Sequence, residues 1–344
     1  MNRKYFLLGL FLLVLYGVWY LYRPFLLPIF IASLLALATS NLNVYFAKYM
    51  RFKTLRALLM TLILGLLFFL PIVYAINAST DILNNFDPTV VDKIVGLKKN
   101  FVLPDYLAFA KPYVKDFLDS INSQDITTNI VTVASTVLQK SAGFFKDMFL
   151  ILIFYFFVNL YSKELVKFLK DILPFDRRSS FFTEISNVMS VVFYSILLTA
   201  LLEGALFAFI VIVYGYDGLL FGILYGFASL IPVVGGLVMW LPVSMYEYAS
   251  GNTMSAVVIV LYSLIVISVI ADTFIKPLII KYVQDDMVKS KTKINEIVVF
   301  FSIIAGLTTY GFWGMILGPA ITTFFISLVR IYQVLLDEEK INAR

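Results

Sequence analysis

Residues 218–245 read GLLFGILYGFASLIPVVGGLVMWLPVSM, and no charged residue appears before Glu247. Gly218, Gly222 and Gly226 recur at four-residue spacing, which on a helix makes a small-residue face that lets a neighbouring backbone come close. Pro232, Gly235 and Gly236 then interrupt the helix near the middle of the apolar run. Each resulting arm is short for a crossing of ~30 Å, which takes roughly 20 residues. A second stretch, residues 297–329, repeats the design as IVVFFSIIAGLTTYGFWGMILGPAITTFFISLV, with Gly306, Gly311, Gly314, Gly318 and Pro319 as punctuation. Paired Gly/Pro-interrupted apolar segments in a membrane protein point to a binding site near the bilayer midplane. Broken backbone is tolerated at that depth only where protein buries it or water reaches it.

The rest of the chain supports a membrane setting. Of 344 residues, 61% are apolar and 14% charged, with a mean hydropathy of +0.91. A soluble domain of this length needs a polar shell that these charges cannot supply. Further apolar runs cover residues 5–22, 24–46, 57–79, 149–161 (fed by a pattern from 130 onward), 185–216 and 248–271. Pro24 is read as the break between the first two, since proline suits a helix's first turn. The start has Arg3 and Lys4 before an apolar run, as in a signal peptide. No small-residue cleavage site follows, and it reads as an uncleaved first helix.

The expected fold is all-α: a polytopic transmembrane bundle of about 8 membrane helices, counting two Gly/Pro-broken hairpins, with a small extracytoplasmic helical region. Its expected divisions are N-terminal spans (1–80), an external helical cap (81–140) and a span with an amphipathic linker (141–182). A C-terminal transport core (183–335) and a tail (336–344) complete it. Basic residues cluster at Arg3–Lys4, at Lys48, Arg51, Lys53 and Arg56, at Lys163, Lys167, Lys170, Arg177 and Arg178, and over 276–293. The positive-inside rule puts these, and both termini, on the cytoplasmic side of an inner membrane. Residues 163–173 form a basic amphipathic helix ended by Pro174, read as lying on the membrane surface.

Three ionisable groups fall within or beside apolar runs. Glu203 is the only charge in residues 185–216, and Asp272 and Lys276 stand four apart just before Pro277. A mid-bilayer charge costs at least ~2.5–3.5 kcal/mol, so it is paired, protonated or cavity-facing. Glu203 is a candidate proton carrier or solute ligand, or else a carboxyl holding two helices together. Asp272 and Lys276 can form an i,i+4 ion pair, and Lys276 can snorkel to the interface. The candidate solute pathway comprises Glu203, Ser229, Pro232, Gly235, Gly236, Asp272, Lys276, Thr308, Thr309, Gly311 and Gly314.

Three motifs in order resemble the autoinducer-2 exporter (AI-2E) family, the PerM-like permeases. They are Ser229-Leu230-Ile231-Pro232-Val233-Val234-Gly235-Gly236, Asp272-Thr273-Phe274-Ile275-Lys276-Pro277, and residues 311–319 (GFWGMILGP). Val233 stands where the family often has tyrosine, and Thr273 where it often has asparagine. The resemblance covers most of the chain and is strongest over 182–330. It implies export of a small signalling molecule in quorum sensing, or cation/proton antiport, by a homo-oligomer, a pentamer. The partners expected are membrane lipid, a small polar solute and a proton or sodium ion, with no nucleic acid.

No cofactor, metal or catalytic residue is expected. Cysteine and histidine are absent, which removes thiolate and imidazole chemistry together. No GxxxxGK[ST] loop occurs, so nothing marks the chain for ATP hydrolysis. Three readings stay open: a secondary exporter of a small polar solute, a sodium or lithium/proton antiporter using Glu203 and Asp272, and an oligomeric scaffold or channel.

Overall fold

The computed structural model describes residues 3–84, 143–172, 181–231, 235–289 and 295–342, and within them every regular element is helical. Of the expected external cap only residues 81–84 are described, as the end of α3; the rest of it, with Pro174, Pro232 and Val233, lies outside the described residues. In chain order the helices are α1 (Arg3–Ala38), α2 (Ser40–Ala47), α3 (Lys53–Asn84), α4 (Gly143–Leu160), α5 (Ser162–Ile172) and α6 (Phe181–Val213). They continue as α7 (Gly218–Ser229), α8 (Gly235–Ala249), α9 (Thr253–Val288), α10 (Glu296–Tyr310) and α11 (Gly314–Asn342).

Six helical stretches among the described residues are long and apolar enough to cross a membrane: Arg3–Ala38, Lys53–Ala78, Gly143–Leu160, Ile185–Val213, Thr253–Val288 and Ile297–Ile326. The last includes a fold at Gly311, so length and composition alone overstate its reach. The protein is an all-α, multi-pass membrane bundle. Its exposed surface is apolar, as lipid requires: Phe11, Leu13, Tyr16 and Leu21 on α1 and Leu62 and Leu66 on α3 face outward.

The expected break at Pro24 does not occur, because α1 runs through both Pro24 and Pro28. A proline inside a helix removes one ladder bond and bends the axis. Apolar membrane helices tolerate this, since neighbouring groups and local adjustment satisfy the freed carbonyls. The chain breaks instead at Thr39, where α1 gives way to α2. There the hydroxyls of Ser186 and Ser190 donate to the carbonyls of Leu37 (3.0 Å) and Ala38 (2.7 Å). These are carbonyls of a helix's last turn, which have no partner within the helix.

The chain forms two compact units, one built from residues 1–66, 144–193 and 290–344 and the other from 67–143 and 194–289. In the first, Ile31, Leu35, Met148, Ile151, Tyr155 and Met189 are fully buried. A set of buried and half-buried polar contacts runs through it: Thr39 with Tyr155 (2.7 Å), Asn43 with Asn159 (3.0 Å) and Ser40 with Ser186 (2.8 Å). In the second, Phe207, Val211, Tyr225, Trp240, Ile259 and Ile267 pack into one core. From Ser263 to Ile275, α9 is wound as a π-helix, a form that often marks functional positions.

Candidate functional site

The site starts from glycine. Within the second unit α6 and α7 pack antiparallel along small residues. A Cβ placed on Gly204 would come within 2.5 Å of the Gly222 carbonyl, and one on Gly226 within 2.9 Å of the Ala200 carbonyl. Gly222 in turn rests against Gly204 and Ala208. The four-residue glycine spacing therefore serves close backbone approach. The start of α8 comes equally close to the end of α7, for Gly235 lies on the Ala228 carbonyl and Gly236 under the Tyr225 hydroxyl.

This packing holds Glu203, the neighbour of Gly204, against the end of α7. Glu203 is 5% exposed, and its Oε1 accepts no hydrogen bond. The Lys276 ammonium of α9 stands 3.8 Å from that oxygen, a charge contact beyond hydrogen-bond length. Lys276 also donates to Asp272 at 3.1 Å, so the expected i,i+4 pair is formed, and Asp272 itself faces Glu203. Ser229 faces the same carboxyl, and its hydroxyl lies 3.0 Å from the Gly226 carbonyl, to which it can donate. The ring of Tyr225, 1% exposed, closes the group, with its centroid 4.6 Å from that of Phe207.

Two carboxyls thus share one ammonium, and one buried oxygen of Glu203 is left without a hydrogen-bond donor. A proton, a monovalent cation or a solute hydroxyl would complete the arrangement. Among the described residues no group of three His, Cys, Asp or Glu could hold a metal ion. Val213 ends α6 ten residues beyond Glu203, about 15 Å at 1.5 Å per residue. Ser229 lies eleven residues from Gly218, about 17 Å from the start of α7. Both distances are close to half of a ~30 Å hydrocarbon core.

The mouth of the α7–α8 pair is fastened. The Tyr216 hydroxyl, ahead of α7, donates to Glu247 near the end of α8. Burial first, and then Glu247, push that phenol above its ordinary value. Asp217 caps α7 by accepting from the Leu220 N–H at 3.0 Å, and the Tyr74 hydroxyl donates to its other oxygen at 2.8 Å. The Leu220 N–H, then Tyr74, hold the Asp217 carboxyl below its usual range.

Of the residues singled out in the sequence, the structure brings Glu203, Ser229, Asp272 and Lys276 together, with Gly235 and Gly236 seating the start of α8 on the end of α7. Thr308, Thr309, Gly311 and Gly314 belong to the first unit. There Gly311 makes the turn between α10 and α11 with φ +63°, a left-handed conformation that suits glycine. Gly306 lies on the Gly314 carbonyl and Gly318 on that of Ser302, so the two arms touch backbone to backbone. Thr308 and Thr309 donate to the carbonyl of Ala305, at 2.9 and 2.8 Å. Sequence reasoning missed Tyr225, the Tyr216–Glu247 fastening and the Tyr74–Asp217 bond. The nearest available signal was the position of Tyr216, Asp217 and Glu247 at the two ends of a charge-free run.

Comparison with known proteins places the chain in a family. Residues 8–333 match the profile described as AI-2E family transporter. A protein of Helicobacter pylori strain 26695, named "Putative transport protein", is 34% identical over 339 residues, 97% of each chain. Its namesake in strain J99 is 33% identical over 338 residues, 97% of this chain and 96% of that protein. A protein of the same name from Methanothermobacter thermautotrophicus is 27% identical over 158 residues, 45% of this chain and 47% of its own. With the match spanning nearly every described helix, the chain belongs to the AI-2E family of membrane transporters.

Proposed function

We propose that the protein is a secondary exporter of a small polar solute, an autoinducer-2-like signalling molecule, driven by a proton carried on Glu203. The observation that carries this reading is the buried, donor-less Oε1 of Glu203 beside Lys276 and Asp272, at the turn of a broken helix pair. A polar solute brings hydroxyl donors to such an acceptor, and Lys276 and Asp272 offer one donor and one acceptor more. On this reading α7 and α8 enter and leave the membrane on one side, their ends joined by Tyr216 and Glu247, with the turn near mid-depth. The α10–α11 pair is read as the second such hairpin. The same two carboxyls favour a second reading, sodium or lithium exchange for protons.

Reconstituted liposomes separate the two. Export predicts uptake of labelled autoinducer-2 into inside-out vesicles under an imposed pH gradient. Exchange predicts sodium-dependent dissipation of that gradient without solute. Absence of both fluxes would overturn the assignment of Glu203 as carrier.

For topology we propose that residues 48–56, the 163–178 linker and the C-terminus are cytoplasmic, with residues 81–139 on the opposite face of the cell inner membrane. Contact of Lys53 with Glu164 at 3.3 Å supports putting the first two on one side. Charge argues for a cytoplasmic N-terminus, whereas α1 taken as one crossing carries Arg3 and Lys4 to the far face. Single cysteines in this cysteine-free chain report both points: Asn100→Cys should react only from outside, and Asn2→Cys tests whether charge or helix continuity prevails. Labelling of Asn100→Cys from the cytoplasm alone would overturn the topology.

A further inference from the structure

Outside the Glu203 cluster, the strongest unassigned arrangement lies at the end of α4. A single residue, Tyr161, joins this membrane span to α5, whose residues separate into two faces. Leu165 and Phe168 fall on one and Lys163 and Lys167 on the other. Leu165 and Phe168 are 41% and 61% exposed. Lys53, from the start of α3, pairs with Glu164 at 3.3 Å and stands 5.6 Å over the Tyr161 ring, which fastens α5 beside the 48–56 loop. That loop adds Lys48 and Arg51, with Phe52 76% exposed, and Tyr45 and Tyr49 have ring centroids 5.4 Å apart.

We propose that α5 and the 48–56 loop form a docking platform for the anionic phospholipid headgroups of the adjoining leaflet. The platform is continuous with the bilayer, because α5 begins two residues after a membrane span ends. Its exposed aromatic and aliphatic side chains match the depth of the headgroup and upper acyl region, and its lysines flank them as in surface-lying helices. The Lys53–Glu164 pair engages one acid of α5, leaving the exposed Lys163 and Lys167 to favour negative headgroups. A soluble acidic partner would answer the charge but would leave Phe168 without an apolar environment.

The test uses the full chain with Leu165→Cys as its one cysteine, carrying an environment-sensitive fluorophore. Vesicles are of phosphatidylcholine alone or of phosphatidylcholine with phosphatidylglycerol. Phosphatidylglycerol should blue-shift the emission and reduce quenching by acrylamide. Neutralising Lys163 and Lys167 to glutamine should weaken this lipid preference about fivefold for each lysine, and high salt should weaken it too. Elution of the variant as a single species of unchanged size excludes misfolding as the cause. Equal emission in the two vesicle types, or an undiminished preference in the double glutamine variant, would overturn the proposal. So would a label open to water in both, the result expected if a soluble partner covers this face.

Discussion

The α7–α8 pair and the α10–α11 pair carry nearly the same small-residue signature, and they differ in what lies beside it. Around the first turn stand Glu203, Asp272, Lys276 and Ser229, with a buried oxygen left without a donor. At the second, the threonine hydroxyls are used by the carbonyls one turn back, and the glycines press arm against arm. Glycine spacing reports how closely backbones approach. Whether the broken segment can do chemistry depends on groups supplied by other helices.

The largest effect should come from the glycines that press on a facing backbone, two in the second pair and one in the first. Gly306→Leu or Gly314→Leu drives a side chain into the facing backbone, which cannot give way as a side chain tip can. Overpacking of this kind costs about 1–3 kcal/mol or more, so both variants should lose folded, monodisperse protein after solubilisation. Gly235→Leu meets the Ala228 carbonyl and should behave alike. Normal assembly of Gly314→Leu would show that the arms are looser than drawn and end the contrast.

Next comes Glu203→Gln, which keeps size and most hydrogen-bonding capacity while removing titration. It should assemble normally and lose pH-driven flux by about tenfold or more, the loss of a proton-transfer group commonly costing 10²–10⁴. Unchanged flux and pH dependence would make the carboxyl a structural one. The smallest effect is expected for Thr308→Val with Thr309→Val. Their hydroxyls bond their own helix, so flux should stay within about twofold, while stability falls by about 1 kcal/mol for each bond lost. A tenfold loss of flux there would place the second pair in the pathway after all.

These contrasts also mark how far the sequence could be read. Hydropathy located the long apolar helices, though it divided α1 in two, and four-residue spacing announced the close backbones, because both are properties of a single helix. Glu203 stood out as the one acid in a long apolar run, and the Asp272–Lys276 pair followed from helical periodicity. The reach of Lys276 to Glu203 did not, because 73 residues separate them and no local rule links α6 to α9. Pro24 misled for the converse reason: a strong local signal was overridden by an environment that tolerates prolines inside helices. The Tyr216–Glu247 fastening needed the return of α8 before it could be seen.

The joint at Thr39 bears on how the protein is made. The hydroxyls that satisfy the last carbonyls of α1 belong to Ser186 and Ser190, 149 and 152 residues further along. At a synthesis rate of about 5–20 residues per second, α1 is complete roughly 7–30 s before those donors leave the ribosome. Through that interval its C-terminal end must stay within reach of water or of the insertion machinery, because bare carbonyls are poorly tolerated in hydrocarbon. The first helix therefore reaches its final seat late, drawn in when α6 arrives, and α6 works as the latch that closes the assembly of the first unit.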